Sequence, residues 1–194
     1  MSEAHHRKKN PEEVRRRLIT AAESLAVEKG VEAITMEAVA QRAEVSKGGL
    51  QHHFRSRQAL LDALFTELWG RFQCRIESCV ESDPEIRGKQ ARAYLRATDE
   101  LSVEGADNEA WRALVVAMLR DVSVRKRWAQ QVRESTSFDA AADLDEAARL
   151  LICRLAADGL WLADLLGQYD DIPAELRAEV VQRLDALTRR ATNP

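Results

Sequence analysis

The chain of 194 residues is short of most features that announce an enzyme or a secreted protein. No apolar run reaches the ~18 residues of a membrane span, so no membrane partner is expected. Met1 to Pro11 is polar and basic, without the apolar core of a secretory signal, and the expected location is cytoplasmic. The three cysteines, Cys74, Cys79 and Cys153, are an odd number without paired-ligand spacing, which suits reduced thiols and small buried side chains. No nucleophile elbow, phosphate-binding glycine loop or His/Cys/Glu set at metal spacing is present. His52 and His53 are adjacent, so on a helix they point about 100° apart and cannot chelate one ion. Neither a cofactor nor a catalytic residue is expected. Alternating strand patterns, internal repeats and low-complexity segments are also missing, and the expected fold class is all-α.

What is present is charge asymmetry. Residues 1–60 hold 11 Lys and Arg against 8 Asp and Glu, a net of +3, and all four histidines. The remainder holds 18 against 24, a net of −6. A basic head on an acidic body suits a protein whose head alone meets nucleic acid. Arg7-Lys8-Lys9 and Arg15-Arg16-Arg17 are candidate phosphate contacts, or else a solvated tail and a solvated helix face.

The most informative stretch runs from Thr35 to Phe54. Met36, Val39, Ala40 and Ala43 form one apolar stripe of helical period behind Thr35, a suitable N-cap. Val45 plugs a turn, and Ser46 caps a second helix whose only apolar residues are Leu50 and Phe54. That helix cannot bury much, which leaves its outer face free. Two such helices match a helix-turn-helix, whose second helix enters the major groove. Gly48 and Gly49 each cost about 0.5–1 kcal/mol relative to Ala. Close approach to a groove floor would explain the pair, whereas a hairpin that only packs would gain nothing from it.

This region resembles the TetR-type bacterial transcriptional regulators. The resemblance lies in Thr35, Val39-Ala40, Ala43, Val45-Ser46-Lys47-Gly48, Leu50, His53-Phe54, Ser56-Arg57 and Leu60-Leu61, and covers roughly residues 11 to 70. Two positions depart from the family pattern. Glu44 stands where the family usually has Gly, and Gln51 where it usually has Tyr. A left-handed turn at Glu44 would cost more than at Gly. Gln51 could hydrogen-bond a phosphate or an adenine edge. Lys47, Gln51 and His52, with Gly48 and Gly49, are the candidate groove contacts; Thr35, Ser46, His53 and Arg57 are the candidate phosphate contacts.

Elsewhere helices follow one another. Asn10-Pro11-Glu12-Glu13 opens one that Gly30 closes, with Val14, Leu18, Ile19, Ala22 and Leu25 on its inner face. Ser56 opens a long helix to about Ser82, with Leu60, Leu61, Leu64, Leu68, Phe72 and Ile76 as its stripe, and Asp83-Pro84 breaks it. Body helices are expected at about 88–104, 108–120, 122–137, 143–167 and 174–191. The expected organisation is a basic tail (1–10), a helix-turn-helix head (11–55), a connecting helix (56–82) and a ligand-binding and dimerisation body (83–194).

The helix at 143–167 is apolar on more than one side (Leu144, Ala147, Leu150, Leu151, Leu155, Leu160, Leu162, Leu165). Such a helix is buried on two faces, one of them against a partner subunit. The final helix (Leu176, Val180, Leu184, Leu187) has a seam-like stripe. The resemblance implies a homodimer joined by the two C-terminal helices of each subunit, binding a palindromic operator and released by a small-molecule inducer. Ala156-Ala157-Asp158-Gly159-Leu160-Trp161-Leu162 is similar to a segment of family members that sense osmolytes or drug-like cations. An aromatic face and a carboxylate in a dry pocket suit a lipophilic cation. Trp69, Phe72, Trp111, Trp128, Asp158 and Trp161 are therefore the candidate ligand residues; each aromatic could equally be core, and Asp158 a structural carboxylate at an irregularity marked by Gly159. A constitutive DNA-binding dimer without ligand is the alternative.

Overall fold

The helices begin where side chains can satisfy their free amides. In the computed structural model of the chain, which describes residues 10–102, 106–168 and 171–189, there are nine α-helices, one short 3₁₀ turn and no strand among the described residues. Asn10 caps α1 (Pro11–Lys29) through the amide of Glu12, Thr35 caps α2 (Met36–Arg42) through Ala38, and Ser46 caps α3 (Lys47–His53) through Gly49. Each accepts one of the amides a helix leaves unpaired in its first turn. Ser56 does the same for Ala59 at the start of α4 (Arg57–Ser82), which runs unbroken for 26 residues. The remaining helices are α5 (Lys89–Ser102), α6 (Ala106–Arg120), α7 (Val122–Ser135), α8 (Leu144–Leu165) and α9 (Ala174–Leu187). The basic run Arg7-Lys8-Lys9 lies outside the described residues.

The contacts divide the chain into two units. The first comprises residues up to 67 together with 109–128; the second comprises 68–108 and 129 onward. In the first, α1 packs on α2 and α2 on α3, burying Leu18, Ala22, Leu25, Ile34, Val39, Leu50 and Phe54. Trp111 and Trp128 belong to this unit, both buried on Phe65. Trp128 stacks at 4.5 Å between ring centroids, Trp111 meets it edge-on at 5.7 Å, and the Trp128 indole N–H donates to Asp62 at 2.9 Å. Asp62 thus supplies the acceptor that a buried indole needs.

The second unit is organised around α5, α8 and α9, which pack on one another. Leu95, Cys153, Ala157 and Leu184 form its core, with Leu160, Val180 and Val181 against them. Burial pushes the Cys153 thiol up to about 11, which leaves it an unreactive packing group. Leu184, expected at a subunit seam, instead lies inside this core at 9% exposure. Gly159 marks no irregularity, since α8 is continuous through it.

A buried polar knot fixes the ends of α4, α5 and α9. The Arg92 guanidinium is fully buried and donates to the Asp83 carboxylate at 2.7 Å, the Glu85 and Arg87 carbonyls, and the Thr188 hydroxyl. Burial opposes the charge on Asp83, but the bond from Arg92, the Glu85 amide and nearby guanidinium charges outweigh it and hold the carboxyl below its ordinary value. Gly88 beside the knot has φ +66°, and a Cβ there would stand 2.5 Å from the Thr188 carbonyl oxygen. Only glycine fits both the backbone conformation and the space.

Candidate DNA-reading helix and body cleft

The turn between α2 and α3 is where this sequence departs from its likeness. Glu44 adopts φ +53°, the one described non-glycine residue with positive φ. Two contacts offset that cost. The Val45 amide bonds the Ala40 carbonyl at 2.9 Å, and Arg17 from α1 donates to the Ala43 carbonyl at the end of α2. The turn is built, with Glu in the glycine position.

Beyond it, α3 buries Leu50 alone, while Phe54 follows as its buried C-cap. Ser46, Lys47, Gly48, Gln51 and His52 are exposed, and Thr35 is exposed at the start of α2. Lys47 pairs with Glu37 at 3.5 Å, with both side chains about 70% exposed, so the pair is loose and exchangeable. His53 is half-buried, edge-on to His52 at 5.4 Å. Partial burial, then the charges of His52 and Arg15, hold it below its ordinary value of 6.5 and leave it mostly neutral at pH 7.

Three expectations about this face change. Nothing lies within 4 Å of a Cβ added to Gly48, but one on Gly49 would meet Val45 Cγ1 at 2.9 Å and Ser46 Oγ at 3.1 Å. Gly49 is there for the turn's own packing, and only Gly48 is left for close approach. Arg57, expected on a phosphate, donates to the Ile34 and Val31 carbonyls at 2.7 and 2.6 Å. It staples α4 to the turn after α1. The arginines of α1 are similarly engaged: Arg15 lies 4.7 Å over the Phe54 ring, Arg16 pairs with Glu13, and Arg17 holds the α2 end.

The second unit contains a cleft of about 200 Å³. From α4 it receives Trp69, Ile76 and Val80 as apolar wall, with Gln73, Glu77 and Glu81 as polar wall; α5 gives Gln90 and Tyr94, the segment after α7 gives Thr136 and Ser137, and α8 gives Arg154. Phe72 lies behind this wall, 5.5 Å from both Trp69 and Tyr94. The Tyr94 hydroxyl donates to Asp158, which fixes the ring from α8. Burial, then the Asp158 charge and that bond, push the Tyr94 phenol far up, so it stays a donor. Asp139 accepts from the amides of Gln90 and Ala91 at 2.9 Å each, capping α5 and tying the segment after α7 to it.

Of the six candidate ligand residues, Trp69 lines the cleft, Phe72 backs it and Asp158 orients one of its walls. Trp161 is half-buried on α8 and is not among the lining residues, while Trp111 and Trp128 belong to the core of the first unit. The sequence reading missed Tyr94, Arg154 and the acidic pair Glu77 and Glu81. The available signal was Arg154 itself, set among Leu150, Leu151, Ile152 and Leu155.

A capped two-helix turn with an exposed polar second helix, carried by an otherwise helical chain, defines the class of helix-turn-helix regulators. Residues 18–64 match the family described as "Bacterial regulatory proteins, tetR family", and residues 88–189 match "Tetracyclin repressor-like, C-terminal domain". The chain belongs to the TetR family of transcriptional regulators. It is 31% identical over 178 residues to the HTH-type transcriptional regulator BetI of Paraburkholderia phymatum, covering 85% of this chain and 89% of that protein. Among solved structures, a TetR-family member from Streptomyces coelicolor is 25% identical with a TM-score of 0.63, over 89% of this chain and 98% of its own. The multidrug binding protein EbrR, solved with imidazole, shares the fold with a TM-score of 0.65 at 24% identity over 93% of each chain. No described helix is long and apolar enough to cross a membrane.

Proposed function

We propose that this regulator binds a near-palindromic operator as a homodimer in the cytoplasm, represses from it, and is released by a small molecule held in the body. In this reading residues 11–55 read DNA, the helix at 56–82 connects, and residues 83–194 dimerise and sense. The observation that carries the DNA reading is α3 itself: seven residues, one of them buried, with Lys47, Gln51 and His52 turned to solvent. A helix so poor in packing is retained for what its outer face meets. The amides at the starts of α2 and α3, beside Thr35 and Ser46, favour phosphate.

The dimer reading is supported by α8. Leu151, Leu155 and Leu162, with the C-cap Leu166, fall on one face and are 43–60% exposed, and α9 adds Leu176 and Leu187. A contiguous apolar stripe left open in one subunit suits a two-fold interface in which the same patch meets its copy. The ligand reading is supported by the cleft, where Trp69 stands beside Glu77 and Glu81, groups that attract a cation. A ligand there alters operator affinity only through its different affinity for two conformations; a tenfold release needs about 1.4 kcal/mol of coupling.

The test is selection of bound duplexes from a random library, followed by titration of the recovered sequence at several salt concentrations. Recovery of an inverted repeat, with affinity falling steeply with salt, supports the reading. Recovery of no sequence would refute it.

A further inference from the structure

We propose that the cleft of the second unit takes an amphoteric small molecule, its carboxylate on Arg154 and its ammonium group at Glu77 and Glu81. This rests on the regulator reading for its biological use, but not for its chemistry.

The argument begins with Arg154, which stands apart from its neighbours. Arg87, Arg92, Arg96, Arg149, Arg177 and Arg189 of the same unit each hold a carboxylate. Among the described residues Arg154 holds none. Its guanidinium lies 4.0 Å over the Tyr94 ring and 4.7 Å from the Phe138 ring centre, and makes one long bond of 3.4 Å to the Ser137 carbonyl. Asp158, one turn along α8, accepts from the Tyr94 hydroxyl instead. An arginine carries five N–H donors in a planar fork, and this one has most of them unspent while lining a cleft. Sandwiched between rings, the fork is held in orientation, which suits bidentate capture of a carboxylate.

The opposite charge is equally unspent. Glu77 and Glu81 line the same cleft, are exposed, and hold no cation among the described residues. They are four apart on α4, an arrangement in which like charges face each other and repel. A guanidinium that forms no ion pair, reached only by the charges of Asp158 and Asp139 beyond salt-bridge distance, and an acid pair without a cation both gain partners when one molecule carries the two complementary charges. Size narrows the class further. About 200 Å³ is below the ~300–1,000 Å³ of drug-sized sites, which suits a ligand of amino-acid size.

The experiment titrates the full-length protein, by calorimetry and by Trp fluorescence, with the α,ω-amino acids from glycine to aminohexanoate. Each is matched by the alkylamine and the carboxylic acid of the same chain length. The expected result is one amino acid bound at least tenfold tighter than both of its matched probes. Arg154→Met should abolish its advantage over the amine, and Glu77→Gln with Glu81→Gln its advantage over the acid. Arg154→Lys keeps the charge and loses the fork, and should retain part of the advantage; it serves in place of Arg154→Met if that variant melts early. An amine that binds as tightly as its amino acid would overturn the proposal. So would carboxylate probes indifferent to both Arg154 variants, or no binding up to about 10 mM, an order of magnitude past a 1 mM Kd. Operator binding of the same samples is measured separately. Ligand binding without any change in operator affinity would keep the cleft chemistry and sink the regulatory reading.

Discussion

Helices α3 and α8 each present a face that their own unit does not cover, and the two faces are chemically opposite. On α3 the open face is Lys47, Gln51 and His52; on α8 it is Leu151, Leu155 and Leu162, continued by the C-cap Leu166. A polar face can be left in water at little cost, so its retention with so few packing residues behind it points to a polar partner. An apolar face in water forgoes about 25 cal/mol for each Å² that could be covered, which points to an apolar partner, in the proposed function a second copy of the chain. The comparison separates reading DNA from forming the reader: losing the polar face should leave the pairing intact, whereas losing the apolar face should take operator binding with it.

The largest effect expected is on folding alone. Arg92→Met leaves the buried Asp83 carboxylate without its guanidinium, and loss of one member of a buried pair costs about 3–5 kcal/mol. Chemical denaturation should report a loss of that size. Because the folded-state Asp83 carboxyl lies below its ordinary value of 3.8, the wild-type contribution is present above that value. It should disappear only as pH falls through the lower, folded value.

Next comes the apolar face. Leu155→Glu places a charge on a residue 60% exposed in one subunit, so the fold should survive while the seam does not. Thermal melting within a few degrees of wild type, with a sedimentation coefficient falling to that of a monomer, is the expected pair of results. The same change at Leu184 should unfold the protein instead, since that side chain is core. A folded monomeric Leu184→Glu would reverse the assignment of core and seam.

The polar face gives a smaller effect. Lys47→Ala should weaken operator binding by about 1 kcal/mol without changing the melting temperature, and should lower the salt slope by about 1 if Lys47 meets a phosphate. Unchanged affinity across salt concentrations would remove Lys47 from the interface. The smallest effect concerns the turn. Glu44→Gly relieves a left-handed backbone costing about 1–2 kcal/mol and gives up only an exposed 4.0 Å pair with Arg17, so it should stabilise by about 1 kcal/mol.

How much of this was legible in the sequence divides along the same line. Local signals carried the head: Asn10, Thr35, Ser46 and Ser56 cap the helices they were expected to open, and Asp83-Pro84 ends α4. Caps and breakers act within a few residues of themselves. The cleft was less legible because it is assembled from four segments far apart in sequence, and periodicity cannot say which aromatics share a cavity. Trp111 and Trp128 looked like pocket residues and proved to be partners of Phe65. Gly49 misled for a related reason. Two adjacent glycines suggested one cause, but the Cβ space shows two, solvent at Gly48 and the Val45 side chain at Gly49.

The central claim is that the α3 face reads DNA only in a pair set by the α8 face. Sedimentation of the protein with its selected operator duplex, at micromolar concentration, tests it directly. The account predicts an even number of chains on each duplex for wild type, and no stable complex for Leu155→Glu at the same concentrations. A single chain on the duplex, or full operator affinity in a Leu155→Glu monomer, would contradict it.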